Sequence, residues 1–210
     1  CAGCGSAESG SAGEPDQRVF GFYYNWYGNT EVNGKEVHWG HGVIGNNSYD
    51  GPADYIPGVD NIAANFYPEL KNYSSTDPAT VARHVEMMAK ARIGVAVVTW
   101  WGDNDFGSPA LPVLFDQAAK HGMKVCFHIE PYHDRNPENL RANIAKLLGR
   151  YGSHPAFYRM AGRPCFFIYD SYITPASEWA RLLQPDGDLT IRGTELDAVM
   201  IGLWVKEHEE

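Results

Sequence analysis

The residues best suited to chemistry are carboxylates, imidazoles and large aromatics, and they gather in four short strings. These are Tyr23-Tyr24-Asn25-Trp26-Tyr27-Gly28, Thr99-Trp100-Trp101-Gly102-Asp103, His128-Ile129-Glu130-Pro131-Tyr132-His133 and Tyr169-Asp170-Ser171-Tyr172. Acid–base cleavage of a glycosidic bond needs two carboxyl groups, one to protonate the leaving oxygen and one to raise a nucleophile. On residue type alone Glu130 and Asp170 are that pair, with the Trp100 and Trp101 indoles beside them to stack on sugar faces. A metal-dependent barrel hydrolase is the rival, since His128 and Glu130 stand two apart with Asp170 to follow. It is the weaker reading, because no His–His pair marks the first strand. A glycine-rich phosphate loop is missing from the sequence.

Taken singly, each group has a plainer explanation. An aromatic after a strand packs a rim, a strand-end Glu makes a structural hydrogen bond, and His38 and His41 fix a loop rather than ligate a metal. Convergence is what favours a site, because each string follows an apolar run. These runs, residues 19–24, 93–100, 123–129, 165–169 and 198–205, are β-branched, aromatic and continuous rather than alternating. That pattern marks strands covered on both faces, as in a parallel sheet.

The segments between the runs carry helical periodicity. Val81, Val85, Met88 and Ala89 make one stripe; Leu111, Leu114, Phe115 and Ala118 a second; Leu140, Ile144, Leu147, Leu148 and Tyr151 a third. Asp77-Pro78, Ser108-Pro109, Asn136-Pro137 and Thr174-Pro175 each predict a capping side chain before a proline at the first helical position. Gly122 and Gly152 stand where helices stop. Strand, loop, capped helix, turn, strand is a βα repeat, and its right-handed crossovers make the sheet parallel. The predicted class is α/β, a (β/α)8 TIM-type barrel of which only the first five βα units are present, with an open five-strand α/β sheet as the alternative that fits less well. In such barrels function sits at the C-terminal strand ends, where the four strings fall. The loop after the first strand runs for about fifty residues and carries His38, Trp39 and His41, a length that marks function.

Composition closes other routes. A net charge of −9 leaves no basic stripe for nucleic acid, and no apolar run approaches the roughly 20 residues a membrane helix needs. Six Trp, twelve Tyr and nine Phe suit a sugar-stacking pocket. Cys126 and Cys165 sit in apolar runs and read as buried thiols. Residues 1–17, rich in Gly, Ser and Ala, form a flexible tether ahead of a partial barrel domain over 18–210, truncated at its C-terminus. Cys1 and Cys4 lie in that tether, where Cys1 reads equally as a lipidated membrane anchor or an arbitrary edge. Asn46 and Asn72 head N-x-[ST] sequons, which matter only in a host that glycosylates secreted proteins.

Taken in order, further strings make a resemblance specific: Asn65-Phe66-Tyr67-Pro68-Glu69-Leu70, His154-Pro155-Ala156-Phe157-Tyr158 and Ile201-Gly202-Leu203-Trp204-Val205, with the four above. From Phe20 to its end the chain resembles glycoside hydrolase family 99, the endo-α-1,2-mannosidases and endomannanases. The resemblance implies retaining, endo-acting hydrolysis of α-1,2-mannosidic bonds in N-glycans or mannan, releasing glucosyl- or mannosyl-α-1,3-mannose. It implies no cofactor and no metal. The family's acid and base lie in a Glu-Trp-His-Glu-like motif that these residues lack; Lys206-Glu207-His208-Glu209 is only superficially similar. Without that pair the 210-residue chain alone is expected to be inactive.

The resemblance also reassigns roles. Glu130 takes a supporting catalytic part in the cleavage subsite, and Tyr24 walls it. Trp101 matches the contact to the next sugar out, where Trp resembles the mannan-leaning bacterial members and Tyr the animal enzymes. Trp100, His128, Tyr132, Asp170 and Tyr172 are further substrate contacts. The expected partner is an α-mannoside oligosaccharide or glycoprotein glycan, taken up by a monomer in the secretory pathway or at the cell surface. The alternatives are a non-catalytic carbohydrate-binding remnant and, behind it, the metal-dependent hydrolase.

Overall fold

The computed structural model describes residues 13–39, 62 and 66–203. Cys1, Cys4, His41, the Asn46 sequon, Asn65 and residues 204–210 lie outside the described residues. Six strands are present: β1 (Asp16–Tyr23), β2 (Ile93–Trp100), β3 (Lys124–Ile129), β4 (Arg159–Met160), β5 (Arg163–Ile168) and β6 (Val199–Gly202). The helices are α1 (Thr30–Asn33), α2 (Pro78–Lys90), α3 (Leu111–Lys120), α4 (Pro137–Tyr151) and α5 (Ala176–Leu183). β1 takes in Asp16 and Gln17, which the sequence reading gives to the tether.

Five strands pair in parallel in the order β1-β2-β3-β5-β6. The exception is β4, two residues that pair antiparallel with the start of β5. Between Asp16 and Phe20 the β1–β2 register shifts. Gly94 lies opposite that bulge, and a Cβ there would come within 2.2 Å of the Asp16 backbone.

Side chains alternate along each strand, and the two faces have different fates. Ala96, Val98 and Trp100 of β2, Val125, Phe127 and Ile129 of β3, and Phe166 and Ile168 of β5 pack beneath the helices with Val81, Val85, Leu114, Phe115, Ile144 and Leu147. The opposite face gathers Val95, Val97, Cys126 and Cys165, with Phe20, Phe167, Val199 and Ile201 against them. That inner face ends upward in Tyr24, Thr99, His128, Glu130 and Tyr169, so strand parity decides which side chains reach the site. Both thiols are free and buried, as expected.

Two of the four expected caps form. Asp77 accepts from the Ala79 and Thr80 amides, and Asn136 makes a capping box with Asn139. Ser108 instead opens a short 3-10 turn and donates its hydroxyl to the Gly102 carbonyl. Thr174 caps nothing, because α5 starts after Pro175 with no side-chain cap. Gly122, just past α3, has φ +69°, the left-handed stop a glycine supplies.

Candidate active site

Glu130 follows β3 immediately, is 2% exposed, and accepts a 2.5 Å hydrogen bond on Oε1 from the Thr99 hydroxyl of β2. His128, two residues back on the same face, places Nδ1 3.4 Å from that oxygen. The angle is poor for a hydrogen bond and Nδ1 has no partner among the described residues, so we read the pair as close neighbours rather than an ion pair. Burial drops the imidazole pKa to about 4, with Arg135 adding to the fall and Asp170 opposing it. The ring is therefore neutral at neutral pH. Burial likewise raises the Glu130 carboxyl; the Thr99 hydroxyl and Arg135 pull it down, while Asp170 and Asp105 push it up.

Aromatic rings gather around His128 and Tyr24. Phe22 and Tyr169 flank the His128 ring, with centroids 4.8 and 5.2 Å away. Tyr24, 40% exposed, stacks on Trp26 at 4.7 Å, and Trp26 stacks on His38 at 5.1 Å. His38 thus has the loop-fixing part expected of it, at the base of a column that props Tyr24. The Tyr24 phenol pKa is raised by partial burial first and then by the negative field of Glu130. Trp101, 37% exposed, follows β2 directly. A cavity of about 290 Å³ opens between Phe22, Tyr24, His128, Phe167, Tyr169 and Leu203. A larger one, about 490 Å³, lies at the opposite ends of the strands between the C-termini of α2 and α3. Its Glu86, Lys90 and Lys120 are solvated surface charges, and the chemistry does not gather there.

The structure separates the expected contacts into three groups. Tyr24, Trp101, His128 and Glu130 share the inner face. Asp170 and Tyr172 stand at the end of β5, where the Tyr172 hydroxyl donates to Asp170 Oδ1 at 2.9 Å. Trp100 and Tyr132 stand behind the site, and here the expectation is corrected. Thr99 faces inward, so Trp100 must face the helices; it is 2% exposed and meets Tyr132 edge-on at 5.7 Å. The Tyr132 hydroxyl bonds Asn139 and Asn143 of α4. Trp100 is closed to a sugar, and Tyr132, half-buried, turns its hydroxyl away to α4.

Four site residues, Phe22, Thr99, Arg135 and Tyr169, were missed by the sequence reading, which quoted Tyr169 only within a string. Phe22 and Thr99 could have been found by stepping two residues back from Tyr24 and Trp101. Arg135 carries no sequence signal. Among the described residues no three His, Cys, Asp or Glu side chains converge as a metal site requires. Asn72 is buried and donates to Glu36 Oε2, so this sequon is not an open glycan acceptor.

The chain is similar to known proteins over most of its length. Glycosyl hydrolase family 99 matches residues 15–210. The glycoprotein endo-alpha-1,2-mannosidase of Rattus norvegicus is 41% identical over 204 residues, covering 90% of this chain and 44% of that protein. The human glycoprotein endo-alpha-1,2-mannosidase-like protein is 38% identical over 201 residues, covering 89% and 44%. The solved endo-alpha-mannosidase of Bacteroides thetaiotaomicron is 46% identical with a TM-score of 0.81, covering 92% of this chain and 57% of that one. The chain spans about half the length of the relatives it matches. Its five parallel strands are of (β/α)8-barrel type, as the sequence pattern predicts.

Proposed function

This chain belongs to glycosyl hydrolase family 99, and from that premise we propose that its strand-end face is the sugar-binding half of an endo-acting α-mannosidase site. The whole protein's activity is then retaining hydrolysis of internal α-1,2-mannosidic bonds in N-glycans or mannan. The observation that carries this reading is a buried carboxyl at a strand end lined with partly exposed aromatics: Glu130 acts on the Tyr24 phenol, Tyr169 lies against His128 two residues back, and Trp101 stands exposed just past β2. A pyranose presents hydroxyls at its edge and C–H groups on its faces. A buried carboxylate accepts from the first, and tyrosine and tryptophan rings cover the second.

Glu130 acts here by charge and hydrogen bonding. As a carboxylate it accepts from sugar hydroxyls and favours the positive charge that grows on the sugar ring in an oxocarbenium-like transition state. Neutral His128 orders the floor without adding a competing positive charge. Tyr24 and Trp101 hold the sugars on either side. The Glu-Trp-His-Glu-like motif expected to hold the acid and base is absent from these 210 residues, so taken alone they bind sugar without turning it over. Action in the secretory pathway or at the cell surface fits a glycan substrate; among the described residues no helix is long and apolar enough to cross a membrane.

The test joins residues 1–210 to the remaining part of the Bacteroides thetaiotaomicron enzyme. The hybrid should release mannosyl-α-1,3-mannose from an α-1,2-linked oligosaccharide with the α-anomer formed first, and chelators should leave the rate unchanged. Glu130→Gln in that hybrid should fold and lose turnover by about 100-fold, the scale of one lost transition-state contact. Parental rates in Glu130→Gln would remove Glu130 from the site, and loss of activity to a chelator would favour the metal hydrolase.

A further inference from the structure

Arg135 stands in the loop between β3 and α4, just after Asp134 at φ +61°, and its half-buried guanidinium crosses to the next strand. Nη1 donates to the Tyr169 carbonyl at 2.6 Å and the Ile129 carbonyl at 3.3 Å; Nη2 donates to the Asp170 carbonyl at 2.8 Å. These carbonyls lie where β3 and β5 end: the Ile129 carbonyl also takes the last ladder bond, from the Tyr169 amide at 3.0 Å, and the Asp170 carbonyl accepts from the Ile173 amide at 3.2 Å. One rigid fork therefore ties three carbonyls at the ends of neighbouring strands to a single side chain, a task a lysine ammonium does less well. Asp170 is held at φ 47°, ψ 47°, a left-handed geometry that a non-glycine residue adopts at a cost of about 1 kcal/mol. The bond from Arg135 to its carbonyl pins that turn, and so aims the Asp170 carboxyl at the Tyr172 hydroxyl.

The same group carries charge. The groups acting on Glu130 are the Thr99 hydroxyl from β2, Asp105 from the loop after it, His128 from β3 and Asp170 from the end of β5, with Tyr24 from β1 within its field. Of these the ionised ones are negative, and the cation whose field opposes them is Arg135.

We propose that Arg135 is the positioning residue of this site: its guanidinium locks the ends of β3 and β5 together and fixes a positive charge on the carbonyl that precedes Glu130. It touches backbone and field, and acts on a sugar only through Glu130 and Asp170. This rests on the functional reading above for its purpose, but the physical claim stands apart from it and can be tested apart.

The experiment uses the 210-residue chain, with Arg135→Gln removing the charge and Arg135→Lys keeping charge while losing the fork. Carboxyl carbon NMR follows Glu130 and imidazole NMR follows His128 across pH, with near-ultraviolet circular dichroism as the fold control; mannosyl-α-1,3-mannose binding is measured separately. In Arg135→Gln both groups should titrate at higher pH than in the parent. In Arg135→Lys Glu130 should return toward its parental titration, while mannoside affinity stays several-fold below the parent's because the β5 turn is loosened. A brace without an electrostatic part predicts parental titration of Glu130 and His128 in both variants, and that result overturns the proposal. If Arg135→Gln does not fold, Arg135→Lys decides: parental mannoside affinity in that variant overturns the positioning role. If the parent chain binds no mannoside, the functional reading fails, while the Arg135→Gln titration still decides the charge role.

Discussion

Replacing Thr99 by valine removes one oxygen and keeps the side-chain shape, so it isolates the 2.5 Å hydrogen bond to Glu130 Oε1. Both side chains are buried, so water cannot fully replace the lost donor. A hydrogen bond to a charged group contributes about 1.5–3 kcal/mol, against about 1 kcal/mol for a neutral pair. Thr99→Val should therefore destabilise the chain by about 1.5–3 kcal/mol where Glu130 is ionised and by about 1 kcal/mol where it is protonated. The part of that cost specific to the charged form moves the Glu130 pKa upward, since the Thr99 hydroxyl is the bond that lowers it.

The pH dependence has a definite sign. Burial holds Glu130 above its unfolded value, so its protonated form stabilises the fold. That contribution is fully present below the unfolded carboxylate range, about 4.3, and is lost as pH rises through the folded pKa. Thr99→Val raises the folded pKa further, so the loss continues to higher pH and the gap between variant and parent widens. His128 works the other way, since its folded pKa of about 4 lies below the unfolded value; its contribution is present at neutral pH and lost on acidification. It is present in both proteins and opposes the Glu130 trend, so the difference between them carries the sign set by Glu130. Urea unfolding of both proteins at about pH 4 and about pH 8 measures this gap. A cost that is equal at the two pH values, or a larger cost in acid, would refute the assignment of Thr99 as the donor to an ionisable Glu130.

Adjacent tryptophans should behave oppositely: Trp100→Ala should cost about 3–5 kcal/mol of stability. Trp101→Ala should leave stability within about 0.5 kcal/mol and weaken mannoside binding, which calorimetry and chemical unfolding separate. The His128 imidazole should titrate near pH 4 by NMR and stay neutral at pH 7; a midpoint above 6 would contradict its burial. Asn136→Ala should cost about 1 kcal/mol through loss of the capping box on α4, whereas Thr174→Ala, at a residue that caps nothing, should be nearly silent in the same thermal melts.

Much of this was legible because burial on both faces leaves a plain mark. Ile93–Trp100 is the strand the apolar run predicts, residue for residue, and the stripes through Val81, Leu114 and Ile144 all face the core. What failed did so for local reasons. Arg159–Met160 is too short to show a period. Ser108-Pro109 reads as a cap, but the Gly102 carbonyl captures the hydroxyl first. Trp100 and Trp101 are alike in type and differ only in parity, which the chemistry of a tryptophan does not announce. Arg135 is invisible in one dimension, because its bonds run to backbone carbonyls up to 35 residues away, and carbonyls leave no trace in a sequence.

The central claim, that the strand-end face around Glu130 binds α-mannosides, is tested most directly by NMR titration of the 210-residue chain with mannosyl-α-1,3-mannose. Cellobiose serves as the control sugar and Glu130→Gln as the control protein. The account predicts saturable shifts at the Trp101 indole and the Tyr24, His128 and Tyr169 rings, none at the cavity between the ends of α2 and α3, and a weaker response in Glu130→Gln. Shifts confined to that distant cavity, or an equal response to cellobiose, would contradict it.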